Sequence, residues 1–309
     1  MKADLVFALD VGGTFIKACV IEQTVLMDET VCEFEAHSQE SKDILIDHFA
    51  NILETLARKY TQVKELDGGP SFHGKSIGIG FAFPGPFDYE NGISFIKGLN
   101  KFESLYGVSL REQLLMKLSS THLFEGTKEI QLSFENDGRL FGLGASTNYP
   151  GERLICLTIG TGLGSVFIDE GNIIYGGEHV PAGGYLYNQW FQDQMVDDHF
   201  SRRGILKVAA EEGLLHEGID VKDIAELAKS GNKQASSIFL QFGSDLGEML
   251  LPFIEQFHPD RIIIGGQIAK SFDLFQSSLN EKLHKTSTKT TSLEHALKHT
   301  FIGISRLFA

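Results

Sequence analysis

The stretch Leu5-Val6-Phe7-Ala8-Leu9-Asp10-Val11-Gly12-Gly13-Thr14-Phe15-Ile16-Lys17-Ala18-Cys19-Val20-Ile21 decides how the chain folds. Leu5 to Leu9 is a short apolar run of strand type, broken at Gly12-Gly13 and resumed from Ile16 to Ile21. Two β-prone runs joined by a glycine turn read as an antiparallel pair, and Thr30 to Phe34 adds a third extended stretch. Gly12 and Gly13 let backbone N–H groups approach an anion with no side chain between, and Thr14 adds a hydroxyl donor. Asp10, ending the first strand, is placed to reach Mg²⁺ directly or through water. Lys17 on the returning strand reads either as a solvated strand face or as a cation with a structural or phosphate-directed role.

The pattern returns in the second half. Arg153 to Ile159 is apolar and β-prone, and Gly160-Thr161-Gly162-Leu163-Gly164 forms a second glycine turn. Val166 to Ile168 resumes the strand, Asp169-Glu170-Gly171-Asn172 is a hairpin turn, and Ile173-Ile174-Tyr175 follows. With so little residue identity, this is a likeness of topology between halves and not a sequence repeat. Two related α/β lobes with a cleft between them are expected. Ser38 to Tyr60 carries Ile44, Phe49, Ile52, Leu53 and Leu56 near helical spacing. Gln234 to Phe257 does the same with Ile238, Phe242, Leu246, Met249, Phe253 and Phe257, and stops at His258-Pro259. Ile77 to Phe83 after the Gly68-Gly69-Pro70 loop, and Arg261 to Ile264 before Gly265-Gly266, read as buried strands. Ser292 to Phe308 reads as a closing helix. The domain division expected is 1–120, 121–291 and a closing helix over 292–309 that packs back on the first lobe.

At 309 residues, two cores are the default. The content of 42% hydrophobic and 22% charged residues is ordinary for a globular protein. A net charge of -14 without a Lys/Arg run argues against nucleic acid or an anionic membrane as partner. Any phosphate must then be held largely by backbone amides. Cys19, Cys32 and Cys156 are widely spaced with no C-x-x-C pair, so small core residues in a reducing compartment are expected, and no zinc cluster. Met1-Lys2-Ala3-Asp4 has no signal-peptide layout and no apolar run is long enough for a membrane span, so a cytoplasmic protein is expected.

Two literal motif matches mislead. Gly69-Pro70-Ser71-Phe72-His73-Gly74-Lys75-Ser76 satisfies the P-loop pattern, yet the apolar strand follows it, where a phosphate loop must lead into a helix. Gly160 to Gly164 tempts a dinucleotide-binding reading, but Ser165-Val166-Phe167-Ile168 continues as strand.

Taken in order, the motifs resemble those of the ROK family (repressors, open reading frames and sugar kinases) of the hexokinase–actin superfamily. Asp10 to Lys17 is similar to its first phosphate motif, D-x-G-G-T-x-x-K, and Gly80 to Pro86 to the strand leading to the sugar site. Phe134-Glu135-Asn136-Asp137 resembles the catalytic Asn-Asp segment, followed by the small-residue helix Gly142 to Ala145. Gly160 to Gly164 corresponds to the second phosphate motif, and Ile262 to Ala269, with Gly265-Gly266, to the adenosine motif. The resemblance covers nearly the whole chain and implies two ribonuclease H-like (actin-like ATPase) lobes. It implies a glucokinase-like enzyme using ATP and Mg²⁺ to phosphorylate a hexose-type sugar, with a homodimer allowed. Asp137 is implied as general base, against the plain alternative that Asn136-Asp137 caps a helix. Asn136 and Asn100 would bond sugar hydroxyls, although Asn100 reads equally as a turn residue. Gly12, Gly13, Thr14, Lys17, Gly160, Thr161, Gly162 and Gly164 would hold phosphates.

One segment departs from the family pattern. Ala182-Gly183-Gly184-Tyr185-Leu186-Tyr187 stands where A-G-E-x-G-H is usual, so Gly184 takes the Glu position and Tyr187 the His position. Asn188 to Gly204 lacks the cysteines of the family's zinc loop, so no zinc site is expected. Glu178 or His179 would then substitute at the sugar, or Tyr185 or Tyr187 would stack on a different one. A non-catalytic sugar or nucleotide sensor is the alternative. A repressor is disfavoured because nine residues precede Asp10, too few for a DNA-binding domain.

Overall fold

The computed structural model describes residues 2–64, 72–121 and 123–309. The chain divides into two compact units, Met1–Leu140 with Leu297–Ala309, and Phe141–Ala296.

In the first unit β1 (Leu5–Val11) and β2 (Phe15–Glu22) form the expected antiparallel pair, extended by β3 (Val25–Leu26) and β4 (Cys32–Glu35). Helix α1 (Lys42–Val63) begins later than the apolar spacing suggests, because Ser38 is engaged elsewhere, its hydroxyl donating to the Gly13 carbonyl at 2.6 Å. Ile44, expected on the apolar face, is exposed, and Leu45 is buried in its place. Then follow β5 (Ser76–Ala82), a small hairpin of β6 (Phe87–Asp88) with β7 (Ile93–Ser94), α2 (Leu110–Ser119) and β8 (Glu129–Glu135). The sheet order is β3-β2-β1-β5-β8, with β1, β5 and β8 parallel. β8 pairs with β5 and completes the first sheet, and the first unit runs to Leu140.

As a central strand, β1 is buried on both faces. Leu5, Phe7, Leu9 and Val11 face a core shared with α1 and α2, while Val6 and Ala8 face the C-terminal helix. On β5, Gly78 and Gly80 share that second face. A Cβ at Gly78 would lie 2.8 Å from the Phe308 ring, and one at Gly80 2.3 Å from Ile304. Two glycines at strand spacing thus let the helix lie directly on the sheet.

The second unit repeats the plan. Helix α3 (Asp137–Ala145) starts in the first unit, and the second sheet is built from β9 (Leu154–Ile159), β10 (Leu163–Asp169) and β11 (Asn172–Ile174). Glu170 (φ 47) and Gly171 (φ 74) form the tight turn of the β10–β11 hairpin. After the two-residue strands β12 (Trp190–Phe191) and β13 (Gln194–Met195) come α4 (Val196–His199), α5 (Arg202–Glu211), α6 (Val221–Lys229) and α7 (Lys233–Phe257). The chain finishes with β14 (Arg261–Gly265), α8 (Phe272–Leu283), β15 (Lys289–Ser292) and α9 (Ala296–Arg306), most of α9 packing in the first unit. The order β11-β10-β9-β14-β15 reproduces the path β3-β2-β1-β5-β8 of the first sheet without a counterpart of β4, with β9, β14 and β15 parallel. Ser292, expected to open the closing helix, instead ends β15, whose Lys-Thr-Thr-Ser sequence carries no apolar signal.

Of the P-loop-like stretch, Gly69, Pro70 and Ser71 lie outside the described residues, as does the Gly68-Gly69-Pro70 loop. Phe72 is buried against Phe7 and Phe124, Lys75 pairs with Glu22, and Ser76 begins β5. No helix among the described residues is long and apolar enough to cross a membrane.

Candidate active site

Register places the first group of candidate residues. Asp10 pairs with Ala82 across β1–β5, and Ala82 with Glu135 across β5–β8, so the three parallel strands end at one level. Ligand chemistry in such sheets gathers at the carboxyl ends of the strands. Here those ends carry Asp10 with the Gly12-Gly13-Thr14 turn, and Asn136-Asp137.

The first turn is tied down by its carbonyls. Gly12 N–H closes the turn on Phe15 O at 2.9 Å, Gly13 O accepts from Ser38, and Thr14 O accepts from Ala36 N–H at 2.8 Å. For the amides of Gly13 and Thr14 no acceptor is found among the described residues. Carbonyls held and amides left as donors are the arrangement that an anion-binding turn requires. The stem of Lys101 lies against Gly13, where a Cβ would be 3.1 Å from its Cδ.

Asn136 is the helix cap that the plain reading offered. Its Oδ1 accepts from the amides of Gly138 (3.0 Å) and Arg139 (3.3 Å), leaving the side-chain NH₂ as a donor. Beneath it the buried Glu135 accepts from Asn136 N–H (2.7 Å) and from Arg139 Nη1 (3.0 Å), so a buried ion pair fixes this corner. Asp137, at the first position of α3, is exposed.

Burial first, and then the nearby charge of Asp137, push the Asp10 carboxyl up to about 7, with Lys17 pulling weakly the other way. Lys17 is itself shared with Glu33 at 3.8 Å and lies opposite Asp10 in the β1–β2 register. Asp10 at this edge is a carboxylate donor suited to a divalent cation. Among the described residues no cluster of three or more His, Cys, Asp or Glu could hold a metal. A single carboxylate rather than a cage suits Mg²⁺, which takes one or two carboxylates together with water and phosphate.

In the second unit the Gly160 to Gly164 turn and Gly265-Gly266 meet at the carboxyl edge of the second sheet, Gly265 pairing with Thr158. Gly266 (φ 92) approaches the Ile159 backbone so closely that a Cβ would lie 2.5 Å from its carbonyl oxygen. Gly265 is buried under the Phe141 ring, 2.3 Å from a would-be Cβ, which gives its missing side chain a packing role. A Cβ at Gly160 would meet nothing within 4 Å, so packing does not explain that glycine. Here too the carbonyls are engaged: Gly160 O by Arg202 N–H (2.7 Å), Thr161 O by Arg203 (3.3 Å), and Gly162 O by Gly160 N–H (2.9 Å). The amides of Thr161 and Gly162 find no acceptor among the described residues.

The other candidates are placed less tellingly. Asn100 is exposed and left-handed (φ 53), its amide donating to Glu103, as a turn residue does. Glu178 is exposed in a short turn between Gly177 and Val180. Gly183 (φ 70) and Gly184 (φ 67) are both left-handed, and Ser165 Oγ bridges Gly184 O and Leu186 N–H at 2.8 Å each. Ser38, Lys101, Asp197, Arg202 and Arg203 are not legible as site residues in the sequence, because each meets its turn through a contact distant along the chain.

Fold and site together define a two-unit α/β protein of the actin-like ATPase fold, with an amide-lined turn in each unit. The sequence model of the ROK family matches residues 6–301, and the chain belongs to that family. It is 21% identical over 301 residues to a glucokinase from Thermotoga maritima, covering 89% of this chain and 86% of that protein. It is 24% identical over 291 residues to a glucokinase from Halalkalibacterium halodurans, covering 86% and 81%. Among solved structures, a glucokinase from Parabacteroides distasonis superposes with TM-score 0.76 at 20% identity, over 99% of this chain and 98% of that one. A ROK family glucokinase from Streptomyces griseus in complex with glucose and AMPPNP gives 0.68 at 17%, over 98% of each chain. A ROK family transcriptional regulator, a homologue of the E. coli MLC protein, gives 0.74 at 16%, over 98% of this chain and 78% of that one.

Proposed function

We propose that the protein is an ATP-dependent sugar kinase, glucokinase-like, that transfers the γ-phosphoryl group of ATP to a hydroxyl of a hexose or related sugar. The observation that carries this reading is that Asp10 and Asn136-Asp137 stand at one level at the carboxyl ends of β1 and β8, beside the amide-donating turn at Gly12-Gly13-Thr14. Membership of the ROK family and the glucokinase relatives support it. Asp137, exposed where a sugar hydroxyl can reach it, takes the hydroxyl proton as that oxygen bonds to the γ-phosphorus and the bond to ADP breaks. The transition state for phosphoryl transfer is loose, so the carboxylate has little proton transfer to do early. Asp10 would hold Mg²⁺, which when bound neutralises phosphate charge. The amides of Gly13, Thr14, Thr161 and Gly162 donate to phosphate oxygens, with Gly266 serving the nucleotide in the second unit. The NH₂ of Asn136, with Asn100 and Glu178, is assigned to the sugar.

A second reading, a sugar or nucleotide sensor without turnover, is favoured by one observation. The left-handed Gly183-Gly184 turn carries no acidic side chain, at the place where the resemblance implies a sugar-binding one. An ADP-coupled assay with Mg·ATP against a panel of hexoses, amino sugars and glycosides decides between them. Sugar-dependent ADP release is expected. Tight nucleotide binding with no turnover on any sugar would favour the sensor.

A further inference from the structure

The segment that packs on the second glycine turn carries an unusual charge arrangement. Asp197 Oδ1 accepts the Leu163 amide at 2.7 Å, and its other oxygen takes Arg203 Nη2 at 2.5 Å. Arg203 also reaches Asp198 at 3.2 Å and the Thr161 carbonyl at 3.3 Å. Next to it, Arg202 N–H holds the Gly160 carbonyl. The stretch 197–203 therefore fixes one amide and two carbonyls of a turn that lies far behind it in sequence. Asp197 is close enough that a Cβ on Gly162 would sit 2.7 Å from its Oδ1, so the absence of a side chain there is what admits the carboxylate.

A carboxylate touching a turn that takes phosphate is a contradiction unless its charge is cancelled. Arg203, bonded to it at 2.5 Å and shared at 3.2 Å with the more exposed Asp198, is the group that offsets it. The arginine side chain is 52% exposed and the aspartate 30%, and ion pairs of such exposure add little to stability. Stability is thus a poor account of the pair, whereas orientation and local charge at the turn are a good one.

We propose that Asp197 and Arg203 are positioning residues for the phosphate groups of the nucleotide: Asp197 sets the turn through the Leu163 amide, and Arg203 neutralises Asp197 so that an anion is admitted. This rests on the reading of Gly160 to Gly164 as a phosphate site.

The proposal makes a sign-specific demand, tested by titrating Mg·ATP and Mg·ADP into the full chain by calorimetry. Arg203→Met leaves Asp197 charged and unpaired, so the Kd for both nucleotides rises on the order of tenfold, and the deficit shrinks as salt is raised. Asp197→Asn keeps the acceptor for Leu163 and removes the charge, so its Kd stays within about threefold of the parent. The double variant Asp197→Asn with Arg203→Met removes the repulsion and binds more tightly than Arg203→Met alone. Thermal midpoints and the sugar KM change little in all three. If Arg203→Met folds poorly, Arg203→Lys with the same salt series carries the test, and a restored Kd is expected because a cation is restored. A double variant as weak as Arg203→Met, or an Arg203→Met that binds like the parent, overturns the proposal and leaves the kinase reading standing. A parent protein that binds neither nucleotide overturns both.

Discussion

Asp10 is the residue whose chemistry can be read most directly in solution. Its folded pKa of about 7 lies above the ordinary carboxyl value of 3.8. Below about pH 4 the group is protonated whether folded or not. Between there and pH 7 the native state holds a proton that the unfolded chain has released, so the contribution of Asp10 to stability falls as pH rises and is fully lost above about 7. At pH 8 the cost is on the order of a few kcal/mol. Urea midpoints of the parent and of Asp10→Asn should therefore diverge from pH 5 to pH 8, the variant becoming relatively more stable; equal slopes would remove the electrostatic account. Asp137 makes a different prediction. Asp137→Asn keeps the start of α3 and loses the proton acceptor, so turnover should drop by about a thousandfold while the Kd for Mg·ATP stays close to that of the parent. Unchanged turnover would remove the base assignment.

At the scale of elements the glycine pair on β5 is the sharpest case. Gly80→Ala drives a methyl group to within 2.3 Å of Ile304, so the C-terminal helix must lift or β5 must shift. Overpacking of this kind costs about 1–3 kcal/mol, read as a lower urea midpoint, and pairing it with Ile304→Ala should restore part of the loss. Such close packing also bears on what the sequence can disclose. The strand–turn–strand openings of both units were legible because short continuous apolar runs and glycine turns are local signals. β15 was not, since Lys289-Thr290-Thr291-Ser292 pairs along one edge of its sheet and buries no large side chain. Nothing local in the sequence of β8 says which sheet that strand joins. Asp10, the glycine turns and Asn136-Asp137 were legible as motifs, whereas Ser38, Asp197 and Arg203 act through contacts that no spacing rule encodes.

On the scale of the whole molecule, one topology is used twice, and each copy solves the same problem with different residues. In the first unit Ser38 and Ala36 hold the carbonyls of the turn; in the second, Arg202, Arg203 and Gly160 do. Either way, the turn is left with backbone amides as donors, in a chain whose net charge is -14. An amide-lined site attracts phosphate at short range, while the surrounding acidic protein repels a polyanion at long range. Salt screens the long-range term and hardly touches the hydrogen bonds. The KM for Mg·ATP should therefore fall about two- to threefold as ionic strength rises from roughly 0.01 to 0.15 M, the reverse of a site built on lysine and arginine. Steady-state kinetics at fixed free Mg²⁺ would measure it. A KM that climbs with salt would mean that local cations such as Lys17 and Lys101, and not the backbone, dominate recognition of the nucleotide.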